Sequence, residues 1–564
     1  MNRTREMYRR LATSACVIGT LAGCGGSGDI EINPATVDNS TNNSNNTVNE
    51  PDDDDENPCA AYQTAAGQTR QGTYDGTNCT YSATFVDSGN NLEVDLTIPA
   101  LPNGGAHIFQ GSLFVGGAYN SDAELQAAGI AEGGDGPTLT IEAGATLAWQ
   151  SNDNFMVINR GSQIFAVGTA NAPITFTSAS DVNGDLADDP EAVSQWGGMV
   201  IDGFGVTNTC EYTGTRGEAG FALTGECHAA SEGSAGQDEN FYGGDNDDDN
   251  SGRLEYVIVK HTGAEVGNGD ELNGITFSGV GRNTVVRNLQ VYSTFDDGIE
   301  MFGGAVNVEK YAAVYVRDDS LDFDEGWVGS IDTALLIQSE TDGNHCIEAD
   351  GIGSFDTLDS ATIDDFVARG LNTRATLNNL TCIISPNGAD TATHDPGAGW
   401  RFREGFQAVV NDSLVIASFG PDADADSNYC LRVDDGSLPL AENGAIELNT
   451  VIIACEDRTA GGPLPGGGSV EDWARNEQGV ILATVDGVVD PTPNADTGLQ
   501  LLQGTPPIFS IDYATMVVDD AAPAGAPQSG SFIGALSEGA ENPFTGWTFG
   551  IFDGNRSQPL WFER

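Results

Sequence analysis

The segments FDDGIEMFGG at residues 295–304 and RDDSLDFDEGW at residues 317–327 are two copies of one pattern, set about 22 residues apart. In an extended chain the side chains alternate between two sides, so Ile299 with Met301, and Leu321 with Phe323, share one side. Glu300 with Phe302, and Asp322 with Asp324, take the other. HCIEADG at residues 345–351 is a third copy and sets Glu348 and Asp350 in the same register. Short strands that recur at this interval, each with an apolar and a polar side, read as a solenoid whose stacked coils bury a continuous core. The spacing therefore predicts a ladder of carboxylates on one outer face.

Strand-sized runs separated by Gly, Asn and Pro continue on both sides of the repeat. ATLAWQ, FMVINR, SQIFAVGT and APITFTSA precede it, and LEYVIVKHTG, TVVRNLQVYS, VNVEKYAAVYV and IDTALLIQS surround it. GWRFREGF, NDSLVIAS, YCLRVDDG and ELNTVIIAC follow. Leu289 with Val291, Ala312 with Val314 and Leu335 with Ile337 recur at intervals of about 23 and are expected to form one column. No long stretch has helical period, so parallel strands joined by short turns point to an all-β parallel β-helix. An antiparallel sandwich is the alternative, and the regular register argues against it. The expected layout is a leader at 1–23, a tether at 24–58, an N-terminal cap at 59–135, the solenoid at 136–510 and a C-terminal cap at 511–564. The run FIGALSEGAENPFTGWTFG in the last segment is expected to close the final coil.

Composition narrows the partners. The chain has 564 residues, 19% charged residues and a formal charge of -62. Nucleic acid is excluded as a partner, because phosphate binding needs a basic stripe and the only lysines are Lys260 and Lys310. An acidic polysaccharide requires bridging metal ions. Cations are the natural counter-species.

Arg3, Arg5, Arg9 and Arg10 precede an apolar stretch at 11–22 that is too short to span a bilayer. It ends in Leu21-Ala22-Gly23-Cys24, which resembles the lipobox of bacterial lipoproteins. The resemblance implies removal of residues 1–23 and lipidation of Cys24; Gly25 and Gly26 after it imply outer-membrane delivery, with the exposed leaflet open. An ordinary secretory signal is the other reading. The polar, Asn- and Asp-rich stretch that follows has almost nothing to bury and reads as a tether of up to about 110 Å. The expected partners are the membrane, through the anchor, and an outer-membrane protein or a glycan.

Eight further cysteines fall as sequence neighbours in a chain with a secretory leader, which predicts the bonds Cys59–Cys79, Cys210–Cys227, Cys346–Cys382 and Cys430–Cys455. A Cys-rich metal site is the alternative, although no C-x-x-C occurs.

The coils resemble the pectin-lyase-like right-handed parallel β-helix superfamily over about residues 136–420. The motifs that carry the resemblance are W-G-G at 196–198, D-x-D-x-S-G-x-L-x-Y at 247–256, N-G-I-T-F at 273–277, D-D-G-x-E-x-F-G-G at 296–304 and D-F-D-E-G at 322–326. Together they are similar to bacterial lipoproteins of no assigned activity. The resemblance implies the fold. The superfamily holds polysaccharide hydrolases, lyases and adhesin-like stalks, so activity rests on the site.

In stacked coils equivalent residues lie about 4.8 Å apart, which makes Glu300, Asp322 and Glu348 successive rungs, with Asp324 and Asp350 beside them. Two like charges about 5 Å apart repel by roughly 3 kcal/mol at an effective dielectric of 20. Aligning Trp400-Arg401-Phe402-Arg403 with Ile299-Glu300-Met301-Phe302 brings Arg401 and Arg403 into the acid columns, and Leu431-Arg432-Val433-Asp434 repeats the arrangement. Three roles are open for this face: a salt-bridge network, a ligand or cation surface, or a polysaccharide-active site. In the last, Asp322, Asp324, Glu348 and Asp350 supply acid and base, and Arg401 is the candidate base of a lyase. Alternating oxygen ligands at Asp245, Asp247 and Asp249, and at Asp422, Asp424 and Asp426, resemble calcium loops, with Asp181-x-Asn183-Gly184-Asp185 a shorter third. Calcium is the expected cofactor. Trp327, Trp400, Trp473, Trp547 and Trp561 are either sugar platforms or core residues.

Overall fold

The computed structural model describes residues 57–563 apart from 88, 232–239, 267–269, 386–396, 418–427, 456–458, 484–500, 504–508, 512–532, 537–541 and 553. Two long sheets run the length of the solenoid, one of 10 strands and one of 16. In the 10-stranded sheet Ile299–Phe302, Leu321–Asp324, His345–Asp350, Ala398–Arg403 and Leu431–Val433 stack in parallel. This is the parallel β-helix. Parallel pairing begins at Cys79–Tyr81 with Ala106–Phe109, well before position 136.

The 16-stranded sheet is bent because its strands turn a corner. Tyr256, Asn288, Lys310, Thr333, Asn379, Asp412 and Thr450 occupy equivalent rungs, and each has a positive φ, between 47° and 66°. One left-handed residue per coil reverses which side chains face inward on either side of it. Just before the bend, an Asn378–Asn411–Asn449 ladder steadies the corner: the Asn411 amide donates to Asn378 at 2.8 Å and the Asn449 amide to Asn411 at 3.2 Å.

The core between the sheets is built of columns. Ile275, Ile299, Leu321, Ile347, Trp400 and Leu431 form one, all fully buried. Aromatic rings stack along the same axis, with Trp149 and Trp196 centroids 4.1 Å apart. The helix Val470–Asn476, started by a Ser469/Asp472 capping box, lays Val470, Trp473 and Ala474 into this core beside the strand Thr459–Gly461. All four disulfides pair as sequence neighbours: Cys59–Cys79, Cys210–Cys227, Cys346–Cys382 and Cys430–Cys455. The third and fourth each tie the start of one coil to its end.

Two expectations need correction. The described C-terminal residues do not close the last coil. Ile533, Phe544, Trp547, Ile551, Leu560 and Trp561 instead lie along the outer face of the bent sheet, against Ala312, Val314, Leu335, Ile337, Leu414 and Ile452. The column of Leu289, Ala312 and Leu335 also slips by one position: Leu289 pairs with Tyr311, and Gln290 with Ala312 and then Leu335. Register is read from hydrophobic contrast, and there is none where both faces of a strand are covered. Among the described residues no helix is long and apolar enough to cross a membrane.

Candidate functional site

The ladder forms in the register its spacing implies. Glu300 pairs with Asp322, Asp322 with Glu348, Glu348 with Arg401 and Arg401 with Arg432. In the neighbouring column Phe302 pairs with Asp324, and Asp350 with Arg403. Alternation within each strand points these groups outward while Met301, Phe323, Ala349 and Phe402 fill the core.

A third column, three residues earlier in each strand, is absent from the expected site. It runs Asn273, Asp297, Asp319, His345. The Asp297 amide N–H donates to Asn273 Oδ1 at 3.1 Å, the Asp319 N–H to Asp297 Oδ1 at 2.9 Å, and the His345 N–H to Asp319 Oδ1 at 2.7 Å. The side chains of Asn273, Asp297 and Asp319 thus each cap the next coil. The signal was present as the DD doublet at the same offset in both copies of the repeat. His345 is 5% exposed, its Nδ1 lies 2.8 Å from Asp319 Oδ1, and its Nε2 lies 2.8 Å from the Tyr429 hydroxyl. Burial lowers His345 to about 4, which keeps the ring neutral, with Nδ1–H donating to Asp319 and Nε2 accepting from Tyr429. Both ring nitrogens are therefore occupied.

The arginine rungs neutralise one end of the ladder. Arg403 grips Asp350 with Nε and Nη2, and Nη2 also reaches Glu348 Oε2 at 3.0 Å. Arg401 Nη1 meets Glu348 Oε1 at 3.0 Å, and its Nε lies 3.5 Å from Asp434 Oδ2. Burial favours the protonated form of Glu348, but His345, Arg403 and Arg401 together outweigh it and hold this carboxyl below its ordinary range. Asp322 has the opposite fate. Burial, then Glu348 and Asp350, push it well above the usual carboxylate range. Its Oδ1 is shielded from solvent and has no hydrogen-bond partner. One oxygen from each of Asp297, Glu300 and Asp322 lies within 4.8 Å of the others, and Asp296, Asp297 and Asp318 form a similar group. Glu300, 2% exposed, is aimed by the Asn273 amide, which donates to Oε2 at 2.7 Å.

The family model of the pectate-lyase-like β-helix domain matches residues 119–456, more than half of the chain. The protein belongs to this family. No curated protein and no solved structure matches it. All the acid and arginine rungs of this pectate-lyase-like helix lie inside the matched region, and the C-terminal segment along the bent sheet lies outside it.

The expected calcium loop at 245–249 is otherwise engaged. Arg216 Nε and Nη2 hold Asp247 Oδ2 and Oδ1, each at 2.7 Å, and Asp249 accepts the Gly133 N–H at 2.7 Å and the Phe204 N–H at 3.1 Å. Asp245 accepts from Leu223 N–H at 3.4 Å. The Arg216 partner sits about 30 residues away in an insertion braced by Cys210–Cys227, which no local pattern reveals. Asp181, in the shorter loop, is held by Lys260 at 2.6 Å. Asp422, Asp424, Asp426 and Cys24 lie outside the described residues. The five tryptophans Trp327, Trp400, Trp473, Trp547 and Trp561 are all buried, so they serve as core rather than open platforms.

Proposed function

We propose that the acid ladder is a divalent-cation-dependent ligand-binding face of an extracytoplasmic lipoprotein, held to the outer membrane through Cys24 and carried clear of it by the tether. The observation that carries this reading is Asp322, whose Oδ1 is shielded and without a hydrogen-bond partner and whose carboxyl groups with those of Asp297 and Glu300. An unpaired buried acceptor is costly, and a bound cation relieves it. The donors are all carboxylate oxygens, which suits a hard cation, and extracellular calcium is abundant enough to fill weak sites. A ligand carrying oxygen atoms would complete the cation's coordination, and an outer-membrane protein or a glycan meets that requirement.

The test is thermal unfolding with calcium and with EDTA. Calcium at 100 times its Kd is expected to stabilise the protein by about 2.7 kcal/mol. Asp322→Asn, which keeps the shape and removes the charge, is expected to abolish that shift. An unchanged shift in Asp322→Asn, or none in the wild type, removes the cation from this face.

A polysaccharide hydrolase is the second reading. It is favoured by the opposite displacements of Asp322 and Glu348 on adjacent rungs, one held protonated and the other ionised, as an acid and a base require. A lyase gains less support, because Arg401 is already bound by Glu348. Incubation with a broad glycan panel decides it. The hydrolase reading expects reducing ends from one glycan, lost in Asp322→Asn, and a silent panel leaves the binding face alone.

A further inference from the structure

Asn159, Asp202 and Asn240 are each no more than 1% exposed, and Oδ1 of each has no hydrogen-bond partner. An unmet buried acceptor is costly, and three in one place call for an occupant. The topology brings them to one place. Ile158 pairs with Ile201 in the core, and the next residues on the two rungs are Asn159 and Asp202, so these side chains follow one another in the outer column that continues at Ser278. The Asn159 amide nitrogen is turned to the preceding rung, where it donates to the Gly116 carbonyl at 3.0 Å. The planar amide therefore aims Oδ1 the other way, at the rung of Asp202. Asn240 arrives from the insertion braced by Cys210–Cys227, at the start of the second strand of the hairpin Ala229–Ala230 and Phe241–Tyr242, and its amide donates to Asp202 Oδ2 at 3.2 Å. Its own Oδ1 is thus held beside the same carboxylate. Ser231, across the hairpin, hydrogen-bonds that carboxylate as well.

The occupant these groups require is positive. Arg160, buried close by, spends Nη1 on the Cys227 and Gly243 carbonyls and Nη2 on the Tyr119 carbonyl and His228 Nδ1, so it gives Asp202 no hydrogen bond. A water molecule has two hydrogens to donate, and would leave one acceptor and the carboxylate charge unmet. Ligands that are oxygens alone suit a hard cation. The charge balance sets its valence. Asp202 and Asp249 are two buried acids around one guanidinium, so a single positive charge neutralises the group, and a second would be buried unpaired.

We propose that Asn159, Asp202 and Asn240 bind a monovalent alkali cation that pins the insertion to the solenoid. Two ligands stand on adjacent rungs and the third on the insertion, so the ion bridges that contact. The same insertion carries Thr207 and Tyr242, whose hydroxyls donate to Glu325 at the turn that follows the acid rung Leu321–Asp324. The ion therefore steadies one flank of the ladder from a distance. The site shares no residue with the ladder, and it stands whether or not the ladder takes calcium.

Melting of the full chain at pH 8 in EDTA tests this, with sodium, potassium and choline chloride compared at equal ionic strength, choline being too large to enter. At 100 times its Kd, sodium or potassium is expected to raise the melting temperature by about 2–3 °C over choline. It is also expected to slow amide hydrogen exchange in the strands Ala229–Ala230 and Phe241–Tyr242 by at least about ten-fold. Asp202→Asn, which removes the charge, is expected to make the three salts equivalent. Asn240→Ala keeps the charge and removes one ligand, so it should shrink the difference, and it serves as the second variant should the first fold poorly. Equal melting and exchange in all three salts overturns the proposal, and so does an undiminished alkali effect in a folded variant.

Discussion

Replacing Arg403 with methionine is expected to destabilise the protein by about 3–5 kcal/mol, the cost of leaving buried charge without its partner. Arg403 is the sole described partner that grips Asp350 with two nitrogens, and it also reaches Glu348. Removing it strands Asp350 and leaves Glu348 to Arg401 beside Asp322, in a patch that already holds several other carboxyls. Much of the loss should return in the double variant Arg403→Met/Asp350→Asn, because the amide needs no counter-charge. Denaturant unfolding of the two variants and the wild type, in EDTA, measures both effects. Equal loss in the single and double variants would show that Arg403 acts through packing and not through charge.

Stability is expected to fall as pH rises from about 4 to about 7. Asp202 is completely buried on the strand Met199–Asp202, with Oδ2 accepting from the Asn240 amide at 3.2 Å and Oδ1 without a partner. Burial raises it to about 7, although Ser231, Asn240 and Arg160 pull the other way. The folded protein therefore keeps a proton that the unfolded chain has released above about pH 4. Its contribution is present in acid, is lost progressively as pH climbs, and is gone above the folded value; for Asp202 alone the loss is on the order of 4 kcal/mol. Asp297, Asp319 and Asp322 are displaced in the same direction, chiefly by burial, and add to the slope, while the buried His345 and His107, each lowered to about 4, oppose part of it up to about pH 6.5. Unfolding at pH 5 and pH 8 in EDTA checks the sign, and Asp202→Asn should flatten the profile by raising stability at pH 8. A wild type more stable at pH 8 would contradict it.

The acid rungs were legible because the strands from Leu321 to Val433 in the 10-stranded sheet alternate apolar inward and charged outward, so a period of two fixes each residue. Arg401 and Arg403 fell into place by the same rule. Asp297, Asp319 and His345 could not be placed by alternation, since they sit at strand starts where it has not begun; the two aspartates accept main-chain N–H groups from the next coil, and His345 donates its own N–H to Asp319. The one-position slip at Leu289 has a related origin. Each coil carries a left-handed corner residue, and beyond it the outward side chains are as apolar as the inward ones. The disulfides were legible from proximity, because a coil returns near its own start. Asp247 misled because an oxygen-rich loop looks the same whether it awaits a cation or the Arg216 guanidinium.

The apolar row on the bent sheet has a temporal consequence. Ala312, Val314, Leu335, Ile337, Leu414 and Ile452 are covered by residues that follow position 532. A chain made from its N-terminus can stack its rungs as they emerge, but this row stays bare until the residues after position 532 arrive. The solenoid thus completes its interior before its exterior, and the residues that follow position 532 turn a greasy, association-prone face into a covered one.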